Sequence, residues 1–107
     1  MLHRLIATTV VATALAAPAG AGDAAAGKRV AGQCRTCHGI DGIAQIPIAP
    51  HLAGESQVYL MNQLKAFRSG KREHEMMSVV AKGMTDEQIA DVAAWYASIQ
   101  ITATIPE

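Results

Sequence analysis

The sequence predicts an all-α domain made of three main helices, a short fourth helix and long connections. Three segments with a helical spacing of apolar side chains each follow a residue that is favoured as an N-cap, namely Asp23, Ser56 and Thr85. No stretch alternates convincingly between apolar and polar residues, as a half-buried strand would. Connections of the predicted length are unusual in a simple bundle, and they indicate that the loops wrap a bound group.

The N-terminal segment has the layout of a secretory signal peptide, which we assign to residues 1–20. A short basic start precedes an uncharged apolar run over residues 5–17, and small residues follow it. The run is too short to span a bilayer comfortably, and an uncleaved anchor is the alternative. We expect cleavage after Ala19, Gly20 or Ala21, no membrane span thereafter, and export of one domain, residues 21–107, to the bacterial periplasm.

Charge and aromatic content constrain the function of this domain. The full chain has 9 basic and 9 acidic residues, so loss of Arg4 with the signal leaves a formal charge of −1. A nucleic-acid partner would call for a strong basic excess, so none is expected. One Trp, one Phe and two Tyr are few for the core of a domain of this size. A buried apolar group would supply the missing bulk.

The first main helix is predicted over residues 24–33. Asp23 is its N-cap, and Val30 and Ala31 are placed on its packing face. Gly27 lies in the middle and weakens the helix by about 1 kcal/mol relative to alanine. We expect another helix to cross closely at this glycine.

The predicted helix is followed by Cys34, Cys37 and His38, a pattern that indicates an attachment site for c-type haem. Two thiols separated by two residues reach two vinyl groups on one porphyrin edge, and the adjacent histidine places an imidazole nitrogen on the iron. We therefore expect one haem c per chain, bound covalently through Cys34 and Cys37, with His38 as one axial ligand.

Three other interpretations of the two cysteines are weaker. A thioredoxin-like redox pair is expected in a strand–helix–strand setting, which no pattern here predicts. A zinc site needs four ligands, and the chain has no further cysteine. A structural disulfide is compatible with export, but it does not explain a histidine directly after the second cysteine.

The middle of the chain is predicted to hold an ordered loop and the second main helix. Pro47 and Pro50 exclude a regular helix over residues 43–54, whose Ile and Ala side chains are expected to lie against the haem. The helix then covers residues 57–69. Two overlapping apolar faces share Leu64, which we expect to be the most surely buried residue of this helix.

The C-terminal part is predicted to hold the short helix and the third main helix. A charged loop over residues 71–75 is expected to be solvated and to lead into the short helix, residues 76–82. Thr85 and Gln88 have the spacing of a capping box and open a helix that ends near Ile99. The remaining residues are expected to form a tail.

The second axial position separates an electron carrier from a haem enzyme or gas sensor, which needs an open iron. Candidate ligands after the attachment motif are Met61, Met76, Met77, Met84, His51 and His74. Spacing favours Met76 or Met77, because both follow a loop long enough to cross the haem, and it does not choose between them. Ligation by His74 would give a bis-histidine centre of lower potential.

With these residues in place, the chain resembles the small class I c-type cytochromes. It is similar to single domains of bacterial dihaem cytochromes c and to the cytochrome subunit of flavocytochrome c sulfide dehydrogenase. The attachment motif is highly specific, whereas the later segments match through their order and spacing. The matching positions are Gly27, residues 34–39, residues 41–42, residues 50–54, Tyr59-Leu60, Gln63-Leu64, Phe67-Arg68, Gly70, Met77, residues 81–83, residues 85–87 and Trp95-Tyr96.

The resemblance implies a class I cytochrome c fold and assigns further site residues. It matches Met77 to the iron-binding methionine, and Pro50 to the proline whose carbonyl accepts a hydrogen bond from His38. It also places Tyr59 among the cofactor-binding residues. By the same likeness, the helix that carries Gly27 crosses the last helix. The single attachment motif departs from the dihaem members and indicates one haem.

We therefore expect an exported monohaem cytochrome that carries one electron at a time and is not itself an enzyme. His38 and Met77 would fill both axial positions, so the geometry changes little when an electron arrives. Its partners would be redox proteins in small, transient contacts, and a free carrier would be a monomer. The alternative is a haem-bearing, electron-accepting subunit of a periplasmic oxidoreductase, such as a flavoprotein sulfide dehydrogenase.

Overall fold

The computed structural model describes residue 1, residues 5–15 and residues 21–107. The α-helices are α1 (Ala24–Val30), α2 (Arg35–His38), α3 (Gln57–Ser69), α4 (Met77–Lys82) and α5 (Asp86–Ser98), and a turn of 3₁₀-helix, Ala31–Gln33, joins α1 to α2. The described residues contain no strand, which confirms the all-α prediction. No helix among them is long and apolar enough to cross a bilayer.

Residues 5–15 are exposed and have no regular secondary structure. Two of the three predicted cleavage points, after Ala19 and after Gly20, fall outside the described residues. The third, after Ala21, lies at the start of the described domain, where the Ala21 carbonyl accepts a hydrogen bond from Gln57 Nε2. The signal peptide and its cleavage therefore stay predictions.

The three predicted N-caps are present. The Asp23 carboxylate accepts hydrogen bonds from the amides of Ala25 and Ala26 at the start of α1. Ser56 Oγ caps α3, and at the start of α5 the side chains of Thr85 and Gln88 each accept a hydrogen bond from the other's backbone amide. Each cap pairs an amide that a helix terminus would otherwise leave without a partner.

Helices α1 and α5 cross at Gly27, as predicted. A Cβ atom on Gly27 would lie 1.8 Å from the carbonyl oxygen of Asp91, so only glycine lets the two backbones come this close. The Asp91 carboxylate, which is largely buried, accepts a hydrogen bond of 2.8 Å from the amide of Asp23. The crossing therefore ties the start of the domain to its last helix.

The core lies where α3, α5 and the 3₁₀ turn meet. Its buried members are Ala31, Leu60, Met84, Ile89, Val92, Ala93 and Tyr96. The prediction that Leu64 is the most buried residue of α3 is wrong: Leu60 and Phe67 are buried, whereas Leu64 is half-buried. Leu64 lines a cavity, so part of its side chain faces space that the polypeptide does not fill.

Two helix bounds also differ from the prediction. The segment predicted as one helix over residues 24–33 tightens after Val30 into the 3₁₀ turn, where the amide of Cys34 donates to the carbonyl of Ala31 at 2.9 Å. The short helix begins at Met77 rather than at residue 76. Both changes fall next to the segments that carry the candidate site.

The predicted ordered loop is fixed by its own backbone. The carbonyl of Gly42 accepts hydrogen bonds from the amides of Leu52 and Ala53, at 2.8 and 3.1 Å, and this closes the loop at its base. Gly42 has a φ of 75°, a conformation that L side chains rarely adopt. A Cβ atom there would lie 2.5 Å from the amide nitrogen of Ala53.

Candidate haem-binding site

A cavity of about 520 Å³ lies between the attachment motif and the segment that enters α4. Cys37 and His38 line one part of it, and Met76 and Met77 line another. Most of the remaining wall is apolar and comes from the ordered loop, α3 and α5. A more open and more polar depression of about 690 Å³ lies over residues 67–82 and includes neither cysteine.

His38 is held in one orientation. Its side chain is buried, with 8% of the residue exposed, and its Nδ1 atom lies 2.9 Å from the carbonyl oxygen of Pro50. A carbonyl only accepts hydrogen bonds, so Nδ1 carries the proton and donates it. The lone pair is then on Nε2, which is the atom that neutral imidazole offers to a metal.

Cys34 and Cys37 are both free and half-buried, and they form no disulfide in this structure. Burial raises the pKa of the Cys34 thiol to about 11, while a hydrogen bond with Tyr96 acts in the opposite direction. Among the described residues, no group of three or more His, Cys, Asp and Glu side chains is arranged to hold a metal ion.

Two aromatic residues of α5 fix the chain directly after the attachment motif. The Tyr96 hydroxyl donates to the carbonyl of Gly39 at 2.9 Å, and Trp95 Nε1 donates to the carbonyl of Ile40 at 2.8 Å. Burial is the main cause that raises the pKa of the Tyr96 hydroxyl. These two hydrogen bonds were not predicted from the sequence, although two adjacent residues with donor groups were a signal for them.

The candidate sulfur ligands separate into two groups. Met84 is buried in the core, and Met61 packs against the core. Met76 and Met77 both line the cavity, with Met77 half-buried and Met76 more exposed, at 54%. The structure therefore brings two methionines to the cavity.

The two histidine candidates accept backbone hydrogen bonds through Nδ1. His51 accepts one from the amide of Ala44, within the ordered loop. His74 accepts from the amides of Met76 and Met77, at the entrance to α4. The Nδ1 atom of each imidazole is therefore already occupied by backbone hydrogen bonds beside the cavity.

The rim of the cavity includes Tyr59, whose residue is 50% exposed. It also includes Arg72, which belongs to the loop that was predicted to be solvated. The Arg72 guanidinium donates to Gln63 Oε1 at 2.7 Å and lies 4.5 Å from the ring centroid of Phe67. No sequence pattern predicted these contacts of Arg72, because its two partners lie one turn apart on α3 and Arg72 lies in the loop that follows this helix.

The residues of the cavity fit a covalently attached haem. One wall offers an oriented imidazole, two free thiols lie within one turn of it, and a thioether lines the same apolar space. Soft sulfur and imidazole are both suitable ligands for haem iron. A buried ring there would also cover the exposed part of Leu64.

A family model described as Cytochrome c matches residues 24–100, which contain the motif, the loop and all five helices up to the end of α5. The chain belongs to the cytochrome c family. This settles the cofactor as covalently bound haem c, to which the motif with Cys34 and Cys37 corresponds. The match assigns this cytochrome the role of an electron-transfer protein rather than an enzyme. Together with the solved cytochrome c4 structure described below, it also confirms the class I fold.

Individual relatives agree with this assignment. Cytochrome c-554(548) of Halomonas halodenitrificans is 48% identical over 70 residues, which make up 63% of this chain and 84% of the relative. The thiosulfate dehydrogenase electron acceptor of Stutzerimonas stutzeri is 36% identical over 70 residues, 63% of this chain and 32% of the relative. The structure of reduced recombinant cytochrome c4 from Pseudomonas stutzeri aligns with a TM-score of 0.70 and 32% identity, over 75% of this chain and 47% of that one. The chain thus spans most of the first relative, but only about a third and about a half of the other two.

Proposed function

We propose that this cytochrome is an exported monohaem carrier of single electrons in which His38 and Met77 are the axial ligands of the iron. The observation that supports this most directly is that an imidazole and a thioether line the same cavity. His38 presents Nε2 because its Nδ1 atom is bonded to Pro50, and Met77 lines the same apolar space. With both positions filled, no vacancy is left for a substrate.

The polypeptide contributes orientation, low polarity and a soft ligand. Cys34 and Cys37 tether the group, and the Pro50 carbonyl keeps the His38 ring in one tautomer. A thioether from Met77 favours ferrous over ferric iron, and the apolar walls add to this preference by excluding water. Haem c supplies the ferrous–ferric couple, and the protein sets where and at what potential it operates.

The periplasm is the proposed location, because the N-terminal segment has the layout of a signal peptide. A partner would approach the rim of the cavity, where Ile48, Tyr59 and Met76 are exposed. A small apolar rim suits the short-lived contacts of electron-transfer proteins.

A second candidate function is that of an electron-accepting subunit bound stably to a catalytic dehydrogenase. It is favoured by the similarity to a protein named as a thiosulfate dehydrogenase electron acceptor. Purification from the native host distinguishes the two. A free carrier elutes alone as a monomer, whereas a subunit elutes with a catalytic partner such as a flavoprotein.

The ligand assignment is tested by absorption spectra of the oxidised and reduced holoprotein with Met77→Ala and with Met76→Ala. We expect the weak sulfur-to-iron band near the red end of the ferric spectrum to disappear in the first variant and to persist in the second. Met76 is the matched control, since it is adjacent and lines the same cavity. The reverse pattern would transfer the role to Met76.

Carbon monoxide provides an independent check. The reduced wild-type protein at neutral pH should not bind it, because the thioether occupies the iron. Binding without denaturant would instead support a gas sensor or a haem enzyme.

A further inference from the structure

We propose that His74 is a positioning residue that holds Met77 in place for the iron. This inference rests on the proposed role of Met77 as axial ligand. His74 does not contact the iron in this proposal; it acts through the backbone of the segment that carries the sulfur.

The contacts of His74 are those of a helix N-cap. Its Nδ1 atom accepts hydrogen bonds from the amides two and three residues later, those of Met76 at 3.2 Å and Met77 at 3.4 Å. Side chains of Ser, Thr, Asp and Asn make this pattern at most capped helices. Here an imidazole makes it, and for this reason the cap escaped recognition in the sequence.

Ser78 completes the arrangement in the opposite direction. The amide of His74 donates to Ser78 Oγ at 3.0 Å, and the amide of Ser78 donates to the carbonyl of His74 at 2.9 Å. Four hydrogen bonds therefore join His74 to the three residues that follow Glu75. Met77 lies within the segment that these hydrogen bonds close.

Helix α4, which carries Met77, needs these hydrogen bonds to hold its first turn. Helix α4 has six residues, and isolated helices of this length are not stable in water. Only Ala81 within it is buried, so packing fixes its far end more firmly than its start. The residue directly before it, Met76, makes no capping hydrogen bond with its side chain. The backbone amides at the start of α4 therefore depend on His74 for a hydrogen-bond acceptor.

The preceding loop is anchored at its other end by Arg72. Its amide donates to the carbonyl of Ala66 at 3.1 Å, and its guanidinium binds Gln63. The loop is therefore fixed to α3 by Arg72 and to α4 by His74. Loss of the second anchor would leave the loop in place and release Met77, which makes the effect of His74 separable from general unfolding.

Competition with free imidazole measures how firmly Met77 is held. Imidazole added to the ferric holoprotein binds only when the thioether has left the iron, so its apparent affinity rises as the bound form of Met77 becomes less populated. For His74→Ala we expect about a fivefold tighter apparent Kd than in wild type, the size of a typical lost N-cap. The loss of the sulfur-to-iron band reports binding.

Two variants make the test specific. His74→Asn restores a favoured capping side chain and should return the Kd to within about twofold of wild type. Thr85→Ala removes the cap of α5, a helix that carries no proposed ligand, and should leave the imidazole Kd unchanged while lowering global stability by a similar amount. Should His74→Ala not accumulate as holoprotein, Ser78→Ala removes the reciprocal bond and should give a smaller change in the same direction.

The outcomes separate the two proposals. If Met77→Ala abolishes the sulfur-to-iron band but His74→Ala and Ser78→Ala bind imidazole as wild type does, Met77 is the ligand and His74 does not position it. An effect of Thr85→Ala equal to that of His74→Ala would likewise assign His74 a merely structural role. A band that persists in Met77→Ala would overturn the ligand assignment itself.

Discussion

The hydroxyl of Tyr96 donates a hydrogen bond to the carbonyl of Gly39, 2.9 Å away, although 57 positions separate the two residues in the chain. Gly39 directly follows the attachment motif, and Tyr96 lies near the end of α5 with only 2% of its surface exposed. The last helix therefore fixes the segment that carries His38, the proposed haem ligand.

Removal of this hydroxyl should destabilise the protein without emptying the core. In Tyr96→Phe the carbonyl of Gly39 loses its buried donor, and we expect the free energy of unfolding to fall by about 1–3 kcal/mol. Urea unfolding of the ferric holoprotein measures this. Tyr59→Phe is the matched control, because Tyr59 is half exposed, and it should change stability by less than about 0.5 kcal/mol. Equal effects of the two variants would contradict the assigned role of the hydroxyl.

The crossing of α1 and α5 should not tolerate a methyl group at Gly27. The nearest atom to an added Cβ is the backbone carbonyl oxygen of Asp91, which cannot move aside as a side chain can. Gly27→Ala is therefore expected to lower the free energy of unfolding by about 3 kcal/mol or more, near the upper end for overpacked sites.

Gly32→Ala is the control for this change. Apart from its chain neighbours, no atom of the described residues lies within 4 Å of its added Cβ, and its φ is not positive. We therefore expect a neutral or slightly stabilising effect of up to about 1 kcal/mol. Thermal unfolding of the two holoproteins gives the comparison. Comparable melting temperatures would show that the helices can separate at little cost.

The ion pair between Arg68 and Asp86 should give stability a pH dependence. Arg68 Nη2 lies 2.6 Å from Asp86 Oδ1, and this hydrogen bond and charge hold the pKa of the Asp86 carboxyl below its usual value. Because the pKa of the carboxyl is lower in the folded than in the unfolded state, the ion pair stabilises the protein at pH values above the ordinary pKa of the carboxyl. This contribution disappears as the pH falls through the lowered pKa of the folded state.

In Asp86→Asn the melting temperature should fall slightly at neutral pH, by about 2 °C, because the carboxylate is 74% exposed. The wild type and the variant should converge only in acid, once the pH has fallen through the lowered pKa of the folded state, where the wild-type carboxyl is protonated and both side chains are uncharged. Arg68→Ala supplies the control background, in which Asp86→Asn should have a smaller effect. A difference that persists unchanged in acid would exclude the ion pair as its cause.

Without haem, the chain should lose cooperative unfolding. A cavity of about 520 Å³ would remain beside the core, and at about 24 cal/mol per Å³ such a void has an upper cost of about 12 kcal/mol. This equals the whole stability of a typical domain. Cys34→Ser/Cys37→Ser expressed without attached haem should show no sharp thermal transition by circular dichroism. A cooperative transition would show that the polypeptide folds without the ring.

The sequence by itself determined the local features of this protein. Caps at Asp23, Ser56 and Thr85 act within four residues, so the starts of the main helices were readable from short-range chemistry. The attachment motif is equally local, since its spacing matches one edge of one cofactor. Even Gly27 indicated a close crossing, because a glycine in the middle of a helix costs stability that a close approach of two backbones can offset.

Only the tertiary structure decided which residues meet. Leu64 was expected in the core and instead faces the cavity, because its helix has one face on α5 and another on the ligand space. The hydrogen bond from Tyr96 to Gly39 joins positions that lie far apart in the chain. The hydrogen bond from Arg72 to Gln63 joins positions that no sequence pattern connects. The cap by His74 was hidden, because an imidazole replaces the usual capping side chains. Periodicity and caps specify the elements, whereas contacts between elements depend on how the whole chain closes around its cavity.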